Sequence, residues 1–132
     1  MPLILLDTHI WVWLVSESPQ LSPRHLQSIQ QHEAAGLGVS IISCWEVAKL
    51  VEKGRLTLNC PVADWISAAL GYPHVTLLPL TPEIIVDSTQ LPAGFHTDPA
   101  DQMIVATSRV LGADLLTVDS KILAYPHVSL VQ

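Results

Sequence analysis

Four carboxylates pose the chemical question in this sequence: Asp7 in LILLDTH, Glu46 in SIISCWEVAKL, Asp101 in TDPADQMIVAT and Asp119 in LLTVDSK. If such groups meet, they repel one another, their pKa values rise and their titrations couple. Hard divalent cations relieve the repulsion, and oxygen-only ligands favour Mg²⁺ or Mn²⁺ over zinc. Two such ions about 3.5–4 Å apart can hold a phosphodiester, activate a water and stabilise the leaving oxygen. Each acid also has a structural reading. Ser43-Cys44-Trp45-Glu46 matches the S-x-x-E capping box, in which Glu46 bonds back to the Ser43 amide. Asp98 and Asp101 suit the first turn of a helix, and Asp7 and Asp119 suit caps or turns. The joint pattern outweighs these readings because all four acids stand at element junctions.

Those junctions follow from the hydrophobic pattern. Leu3–Leu6 is a continuous apolar run, the mark of a strand buried on both faces. Ile10, Trp11, Trp13 and Leu14 follow with helical spacing. Ser22 and Pro23 open a helix expected to reach Ala35 and stop at Gly36. Gly38–Ile42 reads as a second strand, with Ser43 as cap of a helix through Lys53 that stops at Gly54. Further helices are expected over Pro61–Leu70, from Thr81-Pro82 to about Leu91, and from Asp98-Pro99 to Gly112. Val75–Leu78, Leu115–Val118 and Val128–Val131 read as the remaining strands. Alternating strands and helices imply a three-layer α/β/α domain with a mainly parallel sheet, over residues 1–132. In such sheets sites form outside the carboxyl ends of the strands. Asp7 and Asp119 follow strands directly, and Glu46 and Asp101 lie near helix starts.

Composition narrows the class. Twelve acids against six bases give a net charge of −6, which disfavours a broad basic face for nucleic acid. Setting the four acids aside as metal-neutralised leaves eight against six, a balance of −2. Apolar residues make up 49% of the chain, which argues against disorder and for some surface covered by a partner. The longest apolar run, Ile10–Val15, is far short of a membrane span, and the N-terminus lacks the basic region of a signal peptide. Two cysteines, Cys44 and Cys60, suit a reducing, cytoplasmic setting.

Other residues read more plainly. No pair of the six histidines has zinc spacing; His9 and His96 lie near acids but read as packing residues. Trp11 and Trp45 are expected in the core. Lys49, Lys53 and Arg55 form a basic group that either guides a nucleic acid or ends a helix favourably. Thr8 and Thr117 stand beside motif acids, where a hydroxyl can bond a carboxylate or a metal-bound water. Ser43 can do the same, although capping is its expected task. There is no G-x-S-x-G elbow and no glycine-rich phosphate loop. An aspartyl phosphatase wants DxDxT after the first strand, where this chain has Asp7-Thr8-His9-Ile10. A receiver-like domain wants paired early acids and a late strand-end lysine.

LLDTHIWVWL, LSPRHLQSI, SIISCWEVAKLVEKGRL, LPLTPEI and DPADQMIVATSRVLGADLLTVDSKI together resemble PIN-domain proteins, and most of all the VapC-type toxins of bacterial toxin–antitoxin pairs. The resemblance implies a Mg²⁺- or Mn²⁺-dependent endoribonuclease leaving a 5′-phosphate and a 3′-hydroxyl. Its metal-binding and catalytic acids would be Asp7, Glu46, Asp101 and Asp119, with Asp98, Thr8, Ser43 and Thr117 as outer-shell candidates. No organic cofactor is implied. It also implies an RNA substrate, a homodimer and a cognate antitoxin whose tail enters the acidic cleft. The alternative is an inactive PIN-like module that binds RNA or protein. Similar proteins often carry Arg after the third acid, where this chain has Gln102.

Overall fold

In the computed structural model, which describes residues 3–132, four short parallel strands form one sheet. They are β1 (Ile4–Leu6), β2 (Leu37–Ser40), β3 (Val75–Leu78) and β4 (Leu115–Leu116). Their order is β3-β2-β1-β4, and every pairing is parallel. Seven helices surround them: α1 (Thr8–Val15), α2 (Pro23–His32), α3 (Ile41–Glu52), α4 (Val62–Leu70), α5 (Pro82–Ser88), α6 (Pro99–Leu111) and α7 (Ser120–Leu123). None is long and apolar enough to cross a membrane.

β1 shows why the fold has three layers. Its successive side chains point to opposite faces. Ile4 and Leu6 join one core with Trp11, Ile29, Val47 and Trp65, contributed by α1, α2, α3 and α4. Leu5 joins a second core with Ile104 and Val105 of α6, Leu115, Ile122 and Tyr125. A run that is apolar at every position therefore serves two layers, as the three-layer reading of the sequence requires.

The strand order has a chemical consequence. The chain leaves β1 toward β2 and β3 on one side, then crosses back to place β4 on the other. The carboxyl ends of β1 and β4 thus flank a switch point, where open α/β sheets form their crevices. Asp7 leaves β1 there. Thr117 and Asp119 leave β4 there.

Several boundaries differ from the sequence reading. The second strand ends at Ser40, not Ile42, because Ser40 Oγ accepts from the Ile42 amide at 3.2 Å and caps α3. Ser43 is therefore inside the helix, and the expected Ser43 cap does not exist. The 22–35 helix stops at His32 and finishes as a 3₁₀ turn over Glu33–Ala35. α5 is shorter than expected, because Ser88 and Thr89 hydroxyls bond back to the Ile85 and Val86 carbonyls and compete with the helix ladder. β4 stops at Leu116 rather than Val118, and Thr117 just beyond it donates its hydroxyl to Asp7. The expected strand over Val128–Val131 reduces to one parallel bridge, Leu115 to Leu130.

Candidate metal centre

Asp7 is buried at the end of β1. Thr117 donates to its Oδ2 at 2.6 Å, and the Thr8 amide donates to its Oδ1 at 2.8 Å. Thr117 Oγ1 also accepts from the Asp119 amide at 3.0 Å, so one hydroxyl ties the end of β4 to the end of β1. Burial pushes the Asp7 pKa up, and these two bonds restrain the rise.

Glu46 reaches the same edge from α3, and not as a capping-box partner. Thr8 Oγ1 donates to Glu46 Oε1 at 2.5 Å and stands 2.8 Å from Ser43 Oγ. A threonine hydroxyl has one proton, so with Thr8 donating to Glu46, Ser43 must donate to Thr8. The relay Ser43–Thr8–Glu46 fixes the carboxylate from beneath. Desolvation raises the Glu46 pKa first, with the charges of Asp7 and Asp98 adding to it.

Asp98, Asp101 and Asp119 arrive on helix starts. Asp98 caps α6 by accepting from the Asp101 amide at 3.0 Å. Asp119 caps α7, accepting from the Lys121 and Ile122 amides at 2.9 and 3.2 Å. The Asp101 carboxyl is only 14% exposed and has a pKa near neutrality, raised to about 7. Burial is the largest cause, followed by the charges of Asp7, Asp98, Asp119 and Glu46. Four acids therefore act on the carboxyl group of the fifth, and the structure brings every sequence-singled acid to one edge.

His96 completes the cluster, although the sequence reading placed it among packing residues. Its Nε2 is buried, lies 3.0 Å from Asp101 Oδ2 and has no aligned hydrogen-bond partner among the described residues. Ligand atoms of His96, Asp101 and Asp119 all lie within 4.8 Å of one another. A buried, unpartnered ring nitrogen facing two carboxylates fits a divalent cation by geometry and by donor chemistry. Zinc-type spacing gave no warning, because the partners come from different elements. The available signal was only a histidine just ahead of DPAD. Gln102 holds this loop: its amide donates to the His96 carbonyl at 2.9 Å. Gln102 of α6 thus supports a candidate ligand from its own helix.

The tryptophans also divide. Trp11 is buried against Trp65, with ring centroids 5.2 Å apart, but Trp45 is 50% exposed, against the expectation of a core position. Lys49 pairs with Glu52 at 2.9 Å. His9 is exposed and packs on Trp13.

The parallel α/β/α fold is shared with known proteins. The PIN domain model matches residues 4–128, and the chain belongs to the PIN-domain family. Within that family its kinship is with the VapC proteins: it is 35% identical to Ribonuclease VapC22 of Mycobacterium tuberculosis over 96% of this chain and 95% of that one. In fold it is similar to a chain of VapBC2 from Rickettsia felis, solved bound to a DNA fragment from their promoter. That match has a TM-score of 0.71 and 15% identity, and covers 97% of this chain and 96% of that one. A chain of a toxin–antitoxin complex from Klebsiella pneumoniae matches with a TM-score of 0.62 at 19% identity, over 98% of both.

Proposed function

We propose that this protein is a divalent-metal-dependent endoribonuclease of the toxin type, acting in the cytoplasm and silenced by a cognate antitoxin. The observation that carries the reading is the convergence of Asp7, Glu46, Asp101 and Asp119, with His96, on one sheet edge. Kinship with a protein named a ribonuclease supports RNA as the substrate. Likeness to chains of VapBC and toxin–antitoxin assemblies supports the antitoxin. Ile85 and Val86 on α5 and Leu111 at the end of α6 leave apolar surface exposed, which supports a second copy as a further partner.

Asp101, Asp119 and His96 would hold the cation, with Asp7 as a further carboxylate ligand. A bound cation supplies charge against the phosphodiester and lowers the pKa of the attacking water. Thr117 and the Thr8 amide keep Asp7 oriented. Glu46, fixed by Thr8, takes the proton of the attacking water. Asp98 shapes the mouth from the α6 cap. In-line displacement breaks the bond from phosphorus to the 3′-oxygen, which takes a proton from solvent, so the products carry a 5′-phosphate and a 3′-hydroxyl with no covalent intermediate. The imidazole in the ligand set shifts preference from Mg²⁺ toward Mn²⁺.

The test is incubation of total RNA with wild type and Asp7→Asn, with Mn²⁺ or with chelator, followed by mapping of the cut ends. Metal-dependent cuts with 5′-phosphate ends, absent in the variant, are expected. Cleavage that survives both the substitution and the chelator would reject the assignment.

A further inference from the structure

Between α3 and the start of α6 lies an open groove of about 350 Å³, lined among others by Trp45, Glu46, Lys49, Lys53, Arg55 and Asp98. Glu46 and Asp98 also belong to the acid cluster, so the groove runs into it. Three of the chain's six lysines and arginines stand on this one rim. Of the other three, Arg109 is tied to Asp87 at 3.0 Å, Arg24 lines a separate cavity and Lys121 sits on α7. Lys49 Nζ lies 6.0 Å from the Trp45 ring centroid and pairs with Glu52. Lys53 and Arg55 are exposed and form no ion pair among the described residues.

The backbone explains the clustering. α3 ends at Gly54, whose φ of +70° is the left-handed conformation that glycine adopts without strain. The Arg55 and Leu56 amides both bond back to the Leu50 carbonyl, at 2.8 and 3.2 Å. This reversal folds Arg55 back beside Lys53. The helix dipole accounts for cations in the last turn of α3. It gives no reason for Arg55 beyond the turn or for a half-exposed indole one residue from Glu46.

We propose that this groove binds single-stranded RNA next to the scissile phosphate: a base stacks on the Trp45 indole while Lys53 and Arg55 meet the flanking phosphates. The inference rests on the ribonuclease reading and adds where the substrate lies. Charge complementarity selects the occupant. A chain of net charge −6 repels a polyanion unless cations stand close to its path, within a screening length of about 8 Å. This rim alone gathers three of them beside the acid cluster. An aromatic face flanked by cations is the usual platform for single strands, whereas the core of a protein interface is depleted of charge.

The test uses the full chain and a short, fluorescently labelled single-stranded RNA. Affinity is read in the Asp119→Asn background, where the strand is not cut, and KM and kcat are read in the active protein. Trp45→Ala should weaken binding about five- to a hundredfold, Trp45→Phe much less, and KM should rise more than kcat falls. Lys53→Ala with Arg55→Ala should flatten the plot of log affinity against log salt by about 1.4, near 0.7 per lost phosphate contact. Unchanged affinity and salt slope in variants with native melting temperatures would overturn the proposal. So would a Trp45→Ala protein that keeps its RNA affinity but changes its molar mass by light scattering, which would give the face to a protein partner. If wild type cuts RNA and the groove variants match it, only the groove assignment falls. If wild type neither binds nor cuts RNA, the ribonuclease reading falls and takes this one with it.

Discussion

The acid cluster has two halves that are built differently. Asp7 and Glu46 form the inner half. Each is held by a hydroxyl of its own chain, Thr117 for Asp7 and Thr8 for Glu46, and both hydroxyls are buried. Asp101, Asp119 and His96 form the outer half. Their ligand atoms crowd within 4.8 Å, and the His96 Nε2 has no aligned partner among the described residues. The inner half is wired by neutral donors that orient its oxygens without cancelling their charge. Burial of the outer half acts first and the uncancelled charge of the neighbouring acids adds to it, together raising the Asp101 pKa to about 7. Orientation and charge storage are thus divided between two sets of residues. Helix starts help on both sides, since Asp7, Asp98 and Asp119 each cap a helix whose positive end faces the cluster.

The division is sharpest when one member of either half is removed. Asp7→Asn and Asp119→Asn should each lower RNA cleavage by about a thousandfold or more, measured as initial rate on a defined RNA. Equal, small losses in both would erase the proposed chemistry. Thr117→Val and Thr8→Val, which keep every carboxylate, should cost about 10–100-fold in activity or metal affinity, because a positioning donor is lost while the ligand remains. Activity at the wild-type level in these variants would show that the inner hydroxyls do no orienting.

Two thermal measurements separate the halves further. With Mn²⁺ at a hundred times its Kd, wild type should gain about 2.7 kcal/mol of stability, and His96→Gln should lose most of that gain. A His96→Gln protein that responds as wild type does would remove the histidine from the metal centre. In metal-free protein the sign is set by Asp101. Its native pKa of about 7 lies above its unfolded value, so the folded state holds the proton longer. The associated stability is fully present below about pH 4 and is lost as pH rises through about 7. Asp7 and Glu46, also raised, act in the same direction. Melting temperature in chelator should therefore decline from weakly acidic to neutral pH, and Asp101→Asn should flatten that decline by a few degrees. A wild-type melting curve indifferent to pH over this window would contradict the crowding of charge. The smallest effect belongs to Ser43→Ala, about 0.5–1.5 kcal/mol, for the loss of one buried hydroxyl bond to Thr8.

Much of this was legible in the residues. The doubly buried β1, the Ser22-Pro23, Thr81-Pro82 and Asp98-Pro99 helix starts and the stop at Gly112 follow from local pattern, because capping and burial leave their mark in neighbouring residues. The four acids at junctions were equally visible. Where local chemistry offers two answers, the sequence misleads. Ser40 and Ser43 are both good caps, and the choice of Ser40 turned Ser43 from a cap into the first member of a buried relay. Trp45 has the type of a core residue but lies on the face of α3 turned to the groove.

By itself the sequence determined which groups can carry negative charge, which strand lies between two layers and which helices start on an acid. These are properties of side chains and their near neighbours. Only the tertiary structure decided that His96 meets Asp101, that Thr117 reaches Asp7 across 110 positions, and that Trp45 shares a rim with Arg55. Such contacts depend on the strand order and on where each helix enters the sheet edge, and no local spacing encodes a meeting between side chains that only the crossovers bring together.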